Sequence, residues 1–150
     1  MSLDSFSVFK AVANEYIALL EPLFEGFTCP AGTMVIEQGA VADYLYLIES
    51  GSVEIFYKPY DGETITVTHV GTGGLFGWSA LVGSAKYSSS GVAMEELRAL
   101  RIRGSDLRTL CRENPQAGSV ILDRLASAVS SRWQNAHEQV RSILENGVHS

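Results

Sequence analysis

Few residues in this chain have the types and spacing that chemistry requires. The histidines are His69, His137 and His149, and a metal centre in a β-roll needs two or three histidines with a carboxylate at close spacing. No metal enzyme is expected, and His69, on the apolar face of its strand pattern, reads as a satisfied core residue. Cys29 and Cys111 lie far apart, form no CxxC, and read as core residues whose thiols stay free in a reducing compartment. There is no Ser-His-Asp order around a nucleophile elbow, no Walker loop and no His-Glu-x-x-His run. No catalytic residue is assigned. What remains is a glycine-rich stretch ending in Lys86-Tyr87-Ser88-Ser89-Ser90. The serines can donate hydroxyls to a small anion or serve as ordinary polar strand residues, and strand alternation faces Ser88 and Ser90 opposite to Ser89. Tyr87 either offers a further hydroxyl to a pocket or packs as a strand residue at its rim, and Lys86 reads as a solvated loop lysine.

The elements around these residues change character twice. From 8 to 25, apolar side chains at Val8, Val12, Tyr16, Leu19, Leu20 and Leu23 recur at helical intervals, which predicts one or two amphipathic helices. Gly26 and the Pro30-Ala31-Gly32 turn are expected to end them. From Phe27 to Ile102 the period becomes two. Tyr44-Leu45-Tyr46-Leu47-Ile48 reads as a buried strand, followed by Val53–Tyr57, by Glu63–His69 after an Asp61-Gly62 hairpin turn with positive φ at both residues, and by strands near Ser89–Met94 and Leu97–Ile102. Many short strands with glycine-rich turns predict a sandwich or closed roll.

The tail returns to helix. Ser105 is expected to cap a short helix to Arg112, and Asn114-Pro115 to start a long one. Leu122, Leu125, Val129, Trp133, Ala136, Val140 and Ile143 then form a narrow apolar stripe suited to another helix, so a homodimer is expected through it. The expected architecture is mainly β with flanking helices, a jelly-roll of one domain over 1–150: helices over 1–26, the roll over 27–103, and helices over 104–147.

The bulk properties fit a soluble chain. It has 150 residues, 46% of them hydrophobic, and a net charge of −6, which suits one globular domain. Arg98, Arg101, Arg103 and Arg108 alternate with apolar residues as a solvated face would, so direct DNA binding is not expected. No apolar run is long enough to span a membrane, and residues 1–9 lack the pattern of a signal peptide, which points to the cytoplasm.

Specific residues within this order resemble the cyclic-nucleotide-binding domain family, which includes catabolite activator protein and the protein kinase A regulatory subunits. The run PAGTMVIEQGAVADYLYLIESGSVEIFY carries Gly32, Val35-Ile36, Gly39, Asp43, Gly51, Val53 and Ile55 at the family's intervals. The run VGTGGLFGWSALVGSAKYSSSGVA resembles the family's phosphate-binding cassette, with Phe76-Gly77 at its opening, Ala80-Leu81 in its short helix and Ala93 on the returning strand. The resemblance implies a double-stranded β-helix with a long C-terminal helix. It also implies a ligand seated by Phe76, Gly77, Trp78, Ser79, Ala80, Leu81, Lys86, Tyr87, Ser88 and Ser89. A helix starting after a glycine turns free N–H groups toward an anion. The implied cofactor is a cyclic nucleotide, cAMP or cGMP. The chain departs from the pattern at two points: Trp78 stands where the family has glutamate, and Tyr87 where it has arginine. Trp78 then either stacks on a planar ligand at the pocket mouth or plugs the ribose space from inside. Two expectations follow. One is a non-enzymatic regulatory module that binds a small anionic or nucleotide-like ligand and signals through its C-terminal helix to a dimer or protein partner. The other is a scaffold for protein–protein contacts that binds no ligand.

Overall fold

The computed structural model describes Leu3 and residues 6–10, 12–81 and 86–128. A 3-10 turn at Ser7–Phe9 and helix α1 (Asn14–Leu20) lead through a second 3-10 turn, Glu21–Leu23, into strand β1 (Phe24–Cys29). There follow β2 (Met34–Ile36), β3 (Tyr44–Ser50), β4 (Val53–Tyr57), β5 (Ile65–Val70), β6 (Leu75–Phe76), the short helix α2 (Trp78–Leu81), β7 (Ser90–Ala93), β8 (Leu97–Arg103), α3 (Gly104–Glu113) and α4 (Pro115–Ala128). The strands form two antiparallel four-stranded sheets, ordered β1-β8-β3-β6 and β2-β7-β4-β5. This is the expected mainly β roll with flanking helices.

The apolar run in β3 is explained by burial on both faces. Leu45 and Leu47 point into a cluster with Leu20, Ile102, Leu107, Ile121 and Leu125, which glues the helices to the outside of the first sheet. Tyr46 and Ile48 point the other way, into the roll interior with Val53, Ile55, Phe76, Ala93 and Ala99. Each fully buried aliphatic side chain contributes about 1.5–3 kcal/mol, so both layers are needed to hold β3 in place.

Several expected boundaries shift for identifiable reasons. Pro22 ends the helical regime early, in the 3-10 turn, and the sheet begins at Phe24 with Gly26 inside β1, paired to Leu100. Neither Asp61 nor Gly62 has positive φ, so the tight hairpin is replaced by a wider connection over 58–64. Gln38 braces the start of that connection, donating Nε2–H to the Lys58 carbonyl and accepting the Lys58 amide, both at 2.8 Å. A bulge in the β4–β5 pairing between Ile55 and Phe56 and the pairing of Val53 with Val70 put Val70 inside. His69 is thereby turned outward, with its side chain 60% exposed, against Glu54 at 3.1 Å. It is not a core residue.

Ser105 does not cap α3. That helix starts at Gly104, two residues earlier, with Arg103 at the cap position and no side-chain cap. Asn114 precedes Pro115 as expected, but its side chain reaches back to the Leu110 carbonyl at 3.4 Å. The apolar stripe divides. Leu125 is fully buried in the chain's own core, so it is not free for the helix partner expected of it, while Leu122 is half-buried against the same cluster. Val129, Trp133, Ala136, Val140 and Ile143 lie outside the described residues.

Candidate ligand-binding site

The stretch from Phe76 to Ala93 joins the two sheets, since β6 pairs with β3 and β7 lies between β2 and β4. Its opening turn needs a glycine. Gly77 has φ +87°, and a Cβ there would stand 2.7 Å from the Tyr44 carbonyl oxygen. L-residues reach that φ only with strain. Immediately after it, α2 begins at Trp78, and the Ala80 amide closes back on the Gly77 carbonyl at 3.1 Å.

Trp78 takes neither of its two expected positions. It is half-buried and packs against the helical cluster on the outside of the first sheet, away from the roll interior. The indole finds enough apolar area among the helices to settle there. Ala80, on the same short helix, is fully buried and belongs to the roll interior. The Ser79 hydroxyl is buried and accepts the Ser88 amide at 3.3 Å, with Ser88 Oγ 3.4 Å away, which joins α2 to the returning limb.

Tyr87 and Ala93 belong to the roll interior, and a Cβ on Gly91 would meet Ile36, Val53 and Ile55 there. Ser88 and Ser89 form a bend between Tyr87 and β7, which breaks the strand alternation expected of them. Ser89 is buried, and its hydroxyl has no hydrogen-bond partner among the described residues. Lys86 and Ser88 are exposed, as expected of a solvated lysine. Ser90 is buried, and its Oγ accepts the Gln38 amide at 2.8 Å.

Tyr87 is the most constrained residue of the group. Its Oη donates to the Tyr44 carbonyl at 2.6 Å and accepts the Tyr44 amide at 3.0 Å. Its backbone pairs with the preceding loop, the Gly39 amide donating to the Tyr87 carbonyl at 3.0 Å and the Tyr87 amide to the Ala40 carbonyl at 2.9 Å. Burial, reinforced by Tyr46 and Asp43, pushes the phenol up to about 12 against the hydrogen bond to Tyr44, so it stays neutral.

The inner face of the first sheet carries an aromatic ladder. Tyr46 stacks on Phe76 with centroids 4.8 Å apart, and Phe27 meets Tyr46 edge-on at 5.4 Å. Arg101 lies over the Tyr44 ring at 4.1 Å and the Phe27 ring at 5.0 Å, while its Nε donates to Glu25 at 2.8 Å. Sequence reasoning treated Arg101 as part of a solvated face; its inward parity with Leu97 and Ala99 was the available signal. It also missed Arg108, whose Nη1 donates to the Ala80 carbonyl at 2.6 Å.

Of the expected site residues, the structure brings Phe76, Gly77, Ser79, Ala80, Tyr87, Ser88 and Ser89 together at the junction of the sheets. It places Trp78 against the helical cluster and leaves Lys86 exposed. The backbone of Leu81 ends α2, and its side chain lies outside the described residues. A groove of about 310 Å³ on the helical side, lined by Tyr16, Leu19, Glu113, Asn114 and Ala117, contains none of them. Among the described residues no cluster of His, Cys, Asp or Glu could hold a metal, and no helix is long and apolar enough to cross a membrane.

This sequence and this fold both match known proteins of one family. Residues 27–114 match the cyclic nucleotide-binding domain. This chain belongs to that family. It is 30% identical over 129 residues to the cyclic AMP receptor protein of Thermus thermophilus, covering 86% of this chain and 58% of that protein. Over a shorter stretch of 66 residues it is 38% identical to a cAMP-dependent protein kinase regulatory subunit of Blastocladiella emersonii, covering 44% of this chain and 16% of that one. The catabolite activator protein structure of Thermus thermophilus superposes with a TM-score of 0.69 at 28% identity, over 94% of this chain and 62% of that one. A cyclic nucleotide-binding domain from Methylobacillus flagellatus superposes with a TM-score of 0.76 at 22% identity, over 93% and 78%, which supports the fold. The chain spans little more than half the length of the bacterial regulators it matches, 58% and 53% for two of them.

Proposed function

We propose that this cyclic nucleotide-binding domain is a non-enzymatic, cytoplasmic sensor module. A small nucleotide-like ligand enters the roll between α2 and the limb from Tyr87 to Gly91, and the helices after β8 carry the signal to a second copy or a protein partner. The observation that carries the reading is the burial of Tyr87, Ser89 and Gly91 on the limb that returns from a short helix whose tryptophan packs outside the roll. A buried hydroxyl without a partner costs about 1–3 kcal/mol, and a ligand polar group at Ser89 would relieve that cost. The relatives include a cyclic AMP receptor protein and a cAMP-dependent protein kinase regulatory subunit, which supports a nucleotide-like ligand here.

The route outward is short. α2 meets α3 through Ala80, and α3 leads into α4. A ligand with different affinities for two positions of α2 would shift the position of α3 and α4 by population.

A second reading is a scaffold that binds nothing in the roll. It is favoured by the packing of Tyr46, Phe76 and Tyr87 into the interior. A thermal-shift titration with cAMP, cGMP, adenosine and guanosine at millimolar concentration separates the two. A ligand present at a hundred times its Kd stabilises the fold by about 2.7 kcal/mol. A saturable rise with any of these ligands supports the sensor; no rise with all four supports the scaffold.

A further inference from the structure

We propose that the free edge of β5 is a docking site for an extended peptide segment of a partner protein, with basic residues beside a β-branched run, which adds a fifth strand to the second sheet. The inference concerns the outside of the roll and does not depend on a ligand within it.

A strand at the end of a sheet offers a row of unpaired N–H and C=O groups, and folded proteins blunt such edges with short strands, charges, prolines or bulges. The other sheet edges here are blunted in this way. β6 has two residues and β2 has three, with a register shift between Met34 and Ile36. β1 carries Gly26 and also Glu25, which accepts from Arg101 at 2.8 Å. β5 pairs with β4 alone among the described residues, and Ile65-Thr66-Val67-Thr68-His69-Val70 contains no lysine, arginine, carboxylate, proline or glycine. All but His69 are β-branched, the class that fits a pleated strand. Ile65, Thr66 and His69 are exposed. The one protective feature is the bulge between Ile55 and Phe56 in its pairing with β4.

The chemistry of the edge selects its occupant. β5 has six residues, whereas each side of a stable interface between folded partners contributes roughly 20–30. A second folded copy paired through β5 alone is therefore held by too little contact. The bulge acts in the same direction, because it raises the local twist, which a flexible segment follows more readily than a second preformed sheet. In such strand addition the main-chain hydrogen bonds give affinity, and side chains at alternate positions give the choice of partner. Charge adds a preference. The connection leading into β5 exposes Lys58, Asp61 and Glu63, one cation against two carboxylates, on a chain of net charge −6. Further along, the Glu54 carboxylate is already paired with His69 at 3.1 Å. A basic residue on the incoming segment is favoured beside Glu63.

The test is an NMR titration of the full chain with the synthetic peptide Lys-Lys-Val-Thr-Val-Thr-Val, capped at both ends, with amide hydrogen exchange read on the same samples. Saturable shifts and slowed exchange are expected on β5. The same peptide with the backbone nitrogens of its Val-Thr run methylated keeps its charge and side chains but cannot pair, and is expected to bind at least about ten-fold more weakly. Glu63→Lys, an exposed change, is expected to weaken the unmethylated peptide by about two- to five-fold. Equal binding of the methylated peptide, an unchanged affinity in Glu63→Lys, changes centred on β1 or β2, or no saturable change at all overturns the proposal. Protection of β5 that rises with protein concentration in the absence of peptide also overturns it, and assigns the edge to a second copy.

Discussion

Arg108 donates from Nη1 to the carbonyl oxygen of Ala80 at 2.6 Å, and thereby fastens α3 to the short helix that opens the site. The same carbonyl is approached by Gly104, where an added Cβ would overlap it. The two helices thus meet closely at this carbonyl.

Arg108→Ala removes the hydrogen bond and leaves the helices touching. A stability loss of about 1 kcal/mol is expected, or roughly 2–4 °C in melting temperature for a chain of this size. Gly104→Ala forces the helices apart, with an expected loss of about 1–3 kcal/mol. Differential scanning fluorimetry reads both, and an unchanged Gly104→Ala variant would mean that the contact is not as close as described.

Tyr87→Phe keeps the ring and removes both hydrogen bonds to Tyr44. The Tyr44 amide and carbonyl lose a part-buried partner, for an expected cost of about 1–3 kcal/mol by chemical denaturation. The pH dependence has a defined sign. The phenol is held near 12 in the folded state against an ordinary value of 10.0, so the folded form keeps its proton after the unfolded form has lost it. The contribution is fully present below pH 10 and declines as pH rises toward 12. Tyr87→Phe should lack that alkaline decline when the two proteins are compared in parallel.

Gly77→Ala places a Cβ 2.7 Å from the Tyr44 carbonyl at a backbone φ of +87°. Strain of about 1–3 kcal/mol is expected, together with loss of ligand response in the thermal-shift assay. A variant as stable and as responsive as the parent would argue against the turn geometry.

Leu125→Ala is expected to destabilise the chain itself, by about 2–5 kcal/mol, because the side chain lies in the intrachain core. Measured in urea at several protein concentrations, the loss should be independent of concentration. A loss that appears only at concentrations where dimers dissociate would return Leu125 to an interface.

The roll was legible because β3 announces burial on both faces and because glycines recur where the chain turns. Gly77 and its following helix turn were legible for the same reason. The orientation of Trp78 was not, since a tryptophan at the start of a short helix can face either of two apolar layers, and only the assembled helices decide between them. His69 was misplaced by the bulge at Ile55, which resets the parity of the facing strand and leaves no trace in the alternation of Glu63 to His69. The clamp of Tyr87 on Tyr44 is a side chain meeting backbone 43 residues away, which no local pattern encodes. Arg108 was closer to reach, as it stands four residues after a glycine that opens a helix, on the face where a close neighbour is to be expected.

Backbone amide shifts recorded by NMR during a guanosine titration locate the ligand without any variant. If the ligand enters the roll, the largest changes fall on Gly77, Ser79, Ser89 and Gly91, with smaller ones at Gly104 and Arg108. Shifts confined to Leu19, Gln116 and Ala117 on the helical groove, or no saturable shift with guanosine, adenosine, cAMP or cGMP, would contradict a ligand site between the two sheets.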